Sequence, residues 1–395
     1  MKLYRPLVNA VIAALKAIFE EGKYADKVIE KTLKQNPKWG SRDRRFIAET
    51  TYDIVRWHRL LAACVRNPDY YSLLGAYFVL RGIELPPWEE FRNVDPKAVA
   101  AKQREAEGVR KIRESVPDWL DDLGERELGD RWDDELQALN GEAPVVLRTN
   151  TIKTSAKKLQ ERLMKEDVET SRIEGLPDAL VVSRRQNVFR LAPFLEGEFE
   201  VQDAASQAVA PFLEVKPGMR VVDACAGAGG KTLHLAALME NKGRLIALDV
   251  EQWKLDELKK RARRGGVSNL ETRVIDSARV IKRLAGTADR LLLDVPCSGL
   301  GVLRRNPDAK WKLSALYIKE VQALQQTILR DYSDIVKPGG FMVYATCSIL
   351  PSENEEQVKW FLKKRGDAFT LVREKRLWPS EGFDGFYMAL LQRKV

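Results

Sequence analysis

Two cysteines stand directly after apolar runs that end in small polar turns: Cys297 in LLLDVPCSGLG and Cys347 in FMVYATCSILPSENE. A thiolate is a strong nucleophile, so two thiols at the ends of neighbouring strands can divide a reaction between attack and proton transfer. Acidic residues punctuate the same part of the chain. Asp223, Asp249, Asp276 and Asp294 close the runs RVVD, RLIALD, TRVID and RLLLD. After the first of these comes a glycine-rich loop, DACAGAGGKT, from Asp223 to Thr232. A Walker loop would need glycine where Cys225 stands, and a dinucleotide fingerprint would need one at Thr232, so both phosphate-binding templates fail. What remains is a turn that lets backbone approach a ligand closely, followed about 20 residues later by Asp249, placed to accept hydrogen bonds from a ribose diol.

Acidic residues at four strand ends, with no phosphate loop, suit a cationic nucleoside such as S-adenosylmethionine. Paired with that methyl donor, the two thiols suit one demanding reaction. Carbon 5 of cytosine is a poor nucleophile, but a thiolate added at carbon 6 turns the ring into an enamine-like species that can take a methyl group. A base then removes the carbon 5 proton and the thiol leaves. Such a site needs an activated cysteine, an acid near ring nitrogen 3 and a base. The chemistry alone does not choose between Cys297 and Cys347 as nucleophile.

The elements that must position these groups are legible in the pattern of the chain. From Val201 onward strands alternate with helices (RVVDA, TLHLAALMEN, RLIALD, EQWKLDELKKRARRGG, TRVID, ADRLLLD, FMVYATC), which predicts a doubly wound, mostly parallel sheet with its ligands beyond the carboxyl ends of the strands. A closing pair of strands is expected near Phe369 and Phe386. Upstream, VVLRTN, ALVVS and VFRLA read as short strands around a helix in TSAKKLQERLMKE, a small α+β module. Before about residue 140 the pattern is helical. Leu7, Val11, Leu15, Ile18 and Phe19 share a stripe, and Ser41 is the expected N-cap of a helix over SRDRRFIAETTYDIVRWHRLL, in which Phe46, Ile54 and Leu61 share a stripe. The polar, charged stretch from Pro86 to Trp119 reads as a tether. The expected domains are therefore 1–140, helical with a linker; 141–200, α+β; and 201–395, the doubly wound sheet.

Composition narrows the classes further. With 395 residues, 45% hydrophobic and 31% charged, the chain has the balance of a multidomain globular protein. Its net charge of +9 favours a polyanionic partner. The longest apolar stretch, Tyr70 to Leu80, falls far short of the roughly 20 residues that span a membrane. At the N-terminus, Glu20 and Glu21 directly follow the apolar face, unlike a signal peptide. The expectation is a cytoplasmic protein. The four cysteines, Cys64, Cys225, Cys297 and Cys347, form no CxxC pair, so neither metal nor disulfide is expected. Cys64, His58 and His234 read as buried structural residues, and KKRARR (Lys259 to Arg264) as an exposed helix end.

Several motifs occur together in order: VQDAASQ at Val201 to Gln207, the loop ending GGKT, LLDVPCSGLG, RRNPDAKW at Arg304 to Trp311, KPGGFMVYATCSILPSENE, and DGFYMALLQR near the end. Through these the sequence resembles the Sun/Fmu (RsmB-like, NOL/NOP/Sun) family of S-adenosylmethionine-dependent RNA cytosine-5 methyltransferases over nearly the whole chain. The resemblance implies an α/β protein with a Rossmann-like class I methyltransferase domain, preceded by an all-α NusB-like domain and the α+β module. It implies Cys347 as nucleophile, Cys297 as the group assisting proton removal or product release, and Asp294 as a bridge between cofactor and base. It implies a cofactor site of Cys225, Ala226, Gly227, Ala228, Gly229, Gly230, Lys231, Asp249, Lys254, Asp276 and Asp294. The implied substrate is RNA, 16S ribosomal RNA first, with 23S or transfer RNA and a non-catalytic assembly factor as alternatives, and the implied state is a monomer. Arg42, Arg44 and Arg45 become candidate phosphate contacts, and the α+β module is expected to lie against the catalytic domain. One departure stands out. The family has Ala-Pro where this chain has Gly227-Ala228, which exchanges a rigid proline for a freer backbone before Gly229.

Overall fold

The computed structural model describes residues 3–395, which form two compact units. The first comprises the chain up to Gly141 together with Leu303–Ala315. It is built from helices, including Arg5–Phe19, Ala25–Gln35, Ser41–Arg56, Tyr70–Leu80, Pro96–Ala106 and Asp118–Leu128. Val11, Leu15, Ile47, Ile54, Leu74 and Phe78 are fully buried in its core. Tyr70–Leu80 is apolar almost all round and so runs through the middle of this core. The helix expected to be capped by Ser41 starts on that residue; Gly40 occupies the cap, its N–H donating to the Asp43 carboxylate at 3.2 Å.

The tether expected over Pro86 to Trp119 is not one. Phe91, Val94 and Val99 are buried in the helical core, and the charges that suggested a solvated linker neutralise one another. Arg110 pairs with Asp121 at 2.7 Å, and Arg113 with Glu114 at 2.9 Å and with Asp133 at 2.5 Å. Dense charge marks a linker only when it lacks internal partners. Residues 303–315, an excursion from the other unit's chain, also belong here. Trp311 Nε1 donates to Val55 O at 2.7 Å, Arg56 to Arg304 O at 2.9 Å, and the Ala25 N–H to Asp308 at 3.0 Å. The RRNPDAKW motif therefore completes the helical unit.

The second unit holds two sheets. The smaller contains β1 (Val146–Thr149), β2 (Thr170–Ile173), β3 (Leu176–Val182) and β4 (Phe199–Val201), antiparallel in the order β2-β3-β1-β4. The helix Ala156–Met164 covers it, with Leu147, Leu159, Leu163, Leu180 and Phe199 buried in a shared core. Expected strand VFRLA is instead a 3-10 turn, Val188–Arg190, followed by a short helix, Ala192–Leu195. Asn187 accepts the Phe189 N–H and Pro193 enters the first helical turn, both local stops to extended structure. β2 and β4 are too short to show alternation in sequence.

The larger sheet contains β5 (Arg220–Asp223), β6 (Arg244–Asp249), β7 (Leu270–Val274), β8 (Ala288–Asp294), β9 (Val336–Thr346), β10 (Phe369–Leu377) and β11 (Phe386–Arg393), in the order β10-β11-β9-β8-β5-β6-β7. β5 to β9 run parallel; β11 is antiparallel to β9 and to β10. Alternate residues feed two cores: Val222, Ile246, Leu291 and Met342 on one face, Val221, Leu245, Leu292 and Val343 on the other. After β7 the chain returns to the far side of β5, so the switch point of this Rossmann-like sheet lies between β5 and β8, where such folds hold their ligands. Among the described residues no helix is long and apolar enough to cross a membrane.

Candidate active site

The loop after β5 reaches the switch point through two residues of positive φ, Gly227 (+53°) and Gly229 (+89°). A Cβ on Gly229 would lie 2.1 Å from Leu258 Cδ1, so conformation and space both demand glycine there; at Gly227 only the conformation does. Ala226 is buried, and Gly230 opens the helix Gly230–Leu238. The Gly227 N–H donates to Asp249 Oδ2 at 2.8 Å, while Oδ1 accepts the Glu251 N–H at 2.9 Å and lies 3.8 Å from Lys254 Nζ. Asp249 therefore ties the β6 end to the glycine loop, and each of its oxygens keeps a lone pair for a further donor.

The other strand-end acids sit in three different environments. Asp294 at the end of β8 receives Lys231 Nζ at 2.6 Å, across the switch point. Burial alone would lower the Lys231 pKa, but the charge and hydrogen bond of Asp294 outweigh it and raise it, keeping the ammonium charged. Lys231 also lies 5.1 Å from the centroid of the Phe386 ring. Asp223 is an internal brace: 1% exposed, accepting the Thr232 hydroxyl at 2.7 Å, its carboxyl pushed up to about 7 by burial. Asp276, two residues past β7, is exposed and bonded only locally, to Ser277 Oγ at 3.0 Å. Burial, then the charges of Asp223, Asp294 and Asp249, push the Cys225 thiol well up, so it stays a neutral lining group.

The two loops beyond β8 and β9 bring Cys297 and Cys347 together, with the Sγ atoms 3.3 Å apart. The hydrogen bond to Cys347, followed by burial and the charges of Cys347 and Glu353, raises the Cys297 pKa well above the usual thiol value. Cys297 thus holds its proton. Both thiols are partly accessible, whereas Cys64 is buried in the helical core.

Two sets of partners lay outside the sequence reading. The residue after each thiol is a serine, and both serines bond to one buried carboxylate, Glu353. Ser298 donates to it through N–H (2.8 Å) and hydroxyl (2.5 Å), Ser348 through its hydroxyl. The repeated Cys-Ser was the available signal. The second set grips the glycine loop from behind. Arg148 on β1 donates to Gly230 O and to Gln202, and Arg261 donates to Ala228 O at 2.7 Å. Glu200 on β4 pairs with Arg261 at 2.9 Å and with Arg264 at 2.5 Å. KKRARR is therefore exposed on one side only; its Arg261 and Arg264 face inward, because a buried carboxylate opposite needs their charge. These bonds also seat the α+β module against the larger sheet, as expected.

In the helical unit, Arg44 is committed to the carbonyls of Trp39 and Leu33, both at 3.0 Å, closing the end of Ala25–Gln35. Arg42 and Arg45 are exposed, with Arg45 3.9 Å from Glu49. His58 stacks on Phe19 with ring centroids 4.3 Å apart, and His234 is 3% exposed; burial lowers the pKa of both. Among the described residues no group of three or more metal-ligating side chains occurs.

Comparison with known proteins places this geometry. Residues 210–392 match the family model described as 16S rRNA methyltransferase RsmB/F, and residues 116–189 match the ferredoxin-like domain of RsmF/B-like methyltransferases. The chain is 32% identical over 411 aligned residues to the probable ribosomal RNA small subunit methyltransferase B of Synechocystis sp., covering 94% of this chain and 90% of that one. Among solved structures, that of PH0851 superposes over the whole of both chains with a TM-score of 0.85 and 26% identity. A methyltransferase homolog protein from Pyrococcus horikoshii matches 72% of this chain and 97% of its own, with a TM-score of 0.65 and 28% identity. The fold is thus α/β: an all-α NusB-like part, a small α+β module and a Rossmann-like methyltransferase domain.

Proposed function

This chain belongs to the RsmB/F family of 16S rRNA methyltransferases, and from that membership together with the paired thiols we propose that it methylates carbon 5 of a cytosine in 16S ribosomal RNA. The observation that carries the reading is the 3.3 Å contact between Cys297 and Cys347 at the ends of adjacent strands, beside the Lys231–Asp294 pair.

The residues around the glycine loop fit S-adenosylmethionine. The turn of Ala226 to Gly230 offers bare backbone, Asp249 retains lone pairs for a ribose diol, and the exposed Val250 beside it gives a purine an apolar surface. Cys225, Gly227, Ala228, Lys231, Lys254, Asp276 and Asp294 line the rest of the proposed site. When bound, the cofactor supplies a methyl group activated by the positive sulfur.

Cys347 Sγ forms the bond to carbon 6 of a cytosine that has left its stack, and the pair Asp294 and Lys231 meets the polar edge of the ring. After carbon 5 has been methylated, Cys297, having first released its own proton to solvent, takes the carbon 5 proton as a thiolate, the carbon 5–carbon 6 double bond re-forms, and the carbon–sulfur bond to Cys347 breaks. The surroundings that raise the Cys297 pKa make its thiolate, once formed, a strong base for that proton. We assign RNA holding to the helices of residues 1–140 and the α+β module of 141–200, and the chemistry to 201–395. Arg42 and Arg45, rather than Arg44, are the arginines of that cluster open to phosphates. The protein is taken to act as a monomer in the cytoplasm.

Nucleoside analysis tests the reading: labelled S-adenosylmethionine and 16S RNA should yield labelled 5-methylcytidine. Label on a ring or exocyclic nitrogen would refute the chemistry; label appearing only with 23S or transfer RNA would move the substrate and leave the chemistry intact.

A further inference from the structure

The proposed chemistry uses two thiols on two separate loops, so something must hold those loops in register. Their backbones touch at one point beyond the sheet, where the Gly301 N–H donates to Cys347 O at 2.9 Å. Side chains supply the rest: Ser298 Oγ and Ser348 Oγ lie 3.3 Å apart, and both converge on Glu353. Its carboxylate is fully buried and accepts from Ser298 N (2.8 Å), Ser298 Oγ (2.5 Å), Ser348 Oγ (2.5 Å) and Gln325 Nε2 (3.2 Å). The four donors come from the Cys297 loop, the Cys347 loop and the helix Ala315–Tyr332, and no cation pairs with the carboxylate among the described residues. Glu353 is itself fixed: its carbonyl accepts the Tyr344 hydroxyl at 2.7 Å, and neighbouring Asn354 donates to Ser348 O at 2.9 Å. Gln325 reaches the Cys297 loop a second time, at Pro296 O, 3.0 Å away.

A buried carboxylate without a cation is costly unless its hydrogen bonds are complete. Here completeness requires one serine from each thiol loop, so any separation of the loops strands a charged acceptor. We propose that Glu353 is a positioning residue that sets the spacing of Cys297 and Cys347 by binding the serine that follows each of them. Its carboxylate bonds the serines and not the thiols, so it acts through Ser298 and Ser348. The proposal rests on the two-thiol reading of the site.

The test uses the full-length protein with two readouts. Dibromobimane alkylates thiols and becomes fluorescent only after both arms have reacted, so it reports paired thiols without RNA or cofactor; peptide mapping identifies the pair as Cys297 and Cys347. Glu353→Gln keeps the size of the side chain but points an amide donor at one of the serine hydroxyls. The paired-thiol yield should fall several-fold, and kcat should fall about 100-fold, as expected for small misplacement of reacting groups, while the affinity for S-adenosylhomocysteine changes by less than about twofold. Ser298→Ala combined with Ser348→Ala should reproduce both effects and guards against misfolding of the Glu353 variant. Unchanged cross-linking and kcat in these variants would overturn the proposal. Equal losses in kcat and cofactor affinity would reduce Glu353 to a general structural residue. No cross-link in the unsubstituted protein would overturn the thiol arrangement itself; absence of 5-methylcytidine with normal cross-linking would reject the reaction but not the bridge.

Discussion

The two halves of the site are held by opposite means. The thiol half is held from within, by serine hydroxyls and amides that converge on one buried carboxylate, and the bracing serines directly follow the cysteines in sequence. The glycine-loop half is held from outside, by Arg148 of the α+β module and by Arg261, whose partner Glu200 lies on β4. A reactive pair needs fixed spacing to a fraction of an ångström, which short bonds to one buried carboxylate provide. A cofactor loop must admit and release a ligand, and long charged side chains can grip its carbonyls while its amide face stays open. This arrangement also answers the missing proline. Where the resemblance leads one to expect a stiff ring, this chain has Ala228, with its carbonyl fixed at 2.7 Å by Arg261.

Substitutions on either side sharpen the contrast. In the thiol half, Cys347→Ala should lower turnover by about 10⁴-fold or more, the scale seen for lost nucleophiles, with cofactor affinity nearly unchanged in a binding titration. On the loop side, Asp223→Asn should change the pH dependence of stability. The folded carboxyl titrates at about 7 against an ordinary 3.8, so the folded state binds the extra proton between those values. Stability is then full below the lower value and declines as pH rises towards the upper one, by at most about 4 kcal/mol. Denaturant unfolding of Asp223→Asn should lack that decline. Gly229→Ala should destabilise by about 2–3 kcal/mol, from positive φ and the clash with Leu258, and weaken cofactor binding. Arg261→Gln should raise the KM for S-adenosylmethionine about 10-fold, the scale of one charge-assisted hydrogen bond, with kcat held within twofold. A kcat loss larger than the KM change would erase the distinction between the halves.

How much of this was legible in sequence follows the same division. Strand ends announce themselves, because apolar runs closing on Asp or Cys place those side chains at the carboxyl edge of a parallel sheet; Asp223, Asp249, Asp294, Cys297 and Cys347 all arrived where the runs placed them. The two thiols could be paired, but the serines and the Glu353 carboxylate that hold their loops together could not be read from the strand pattern. Arg148, Glu200 and Arg261 were invisible as a group, being separated by 61 residues between Glu200 and Arg261 alone. A run such as KKRARR has no sequence sign that two of its arginines turn inward. Charge density misled in the same way between Pro86 and Trp119, where Arg110 and Arg113 find Asp121 and Asp133, beyond the segment, only after folding. Asp276 shows the reverse: expected to close a strand, it lies two residues beyond β7 with its side chain in solvent.

The central claim is that Cys347 attacks and Cys297 completes the reaction. Incubation of Cys297→Ala with 16S RNA and S-adenosylmethionine, run on a denaturing gel, addresses it directly. A slowly migrating protein–RNA species should accumulate with Cys297→Ala and be missing with Cys347→Ala. If the species formed with Cys347→Ala instead, or with neither variant while 5-methylcytidine was still produced by the unsubstituted protein, the assignment of the two thiols would be contradicted.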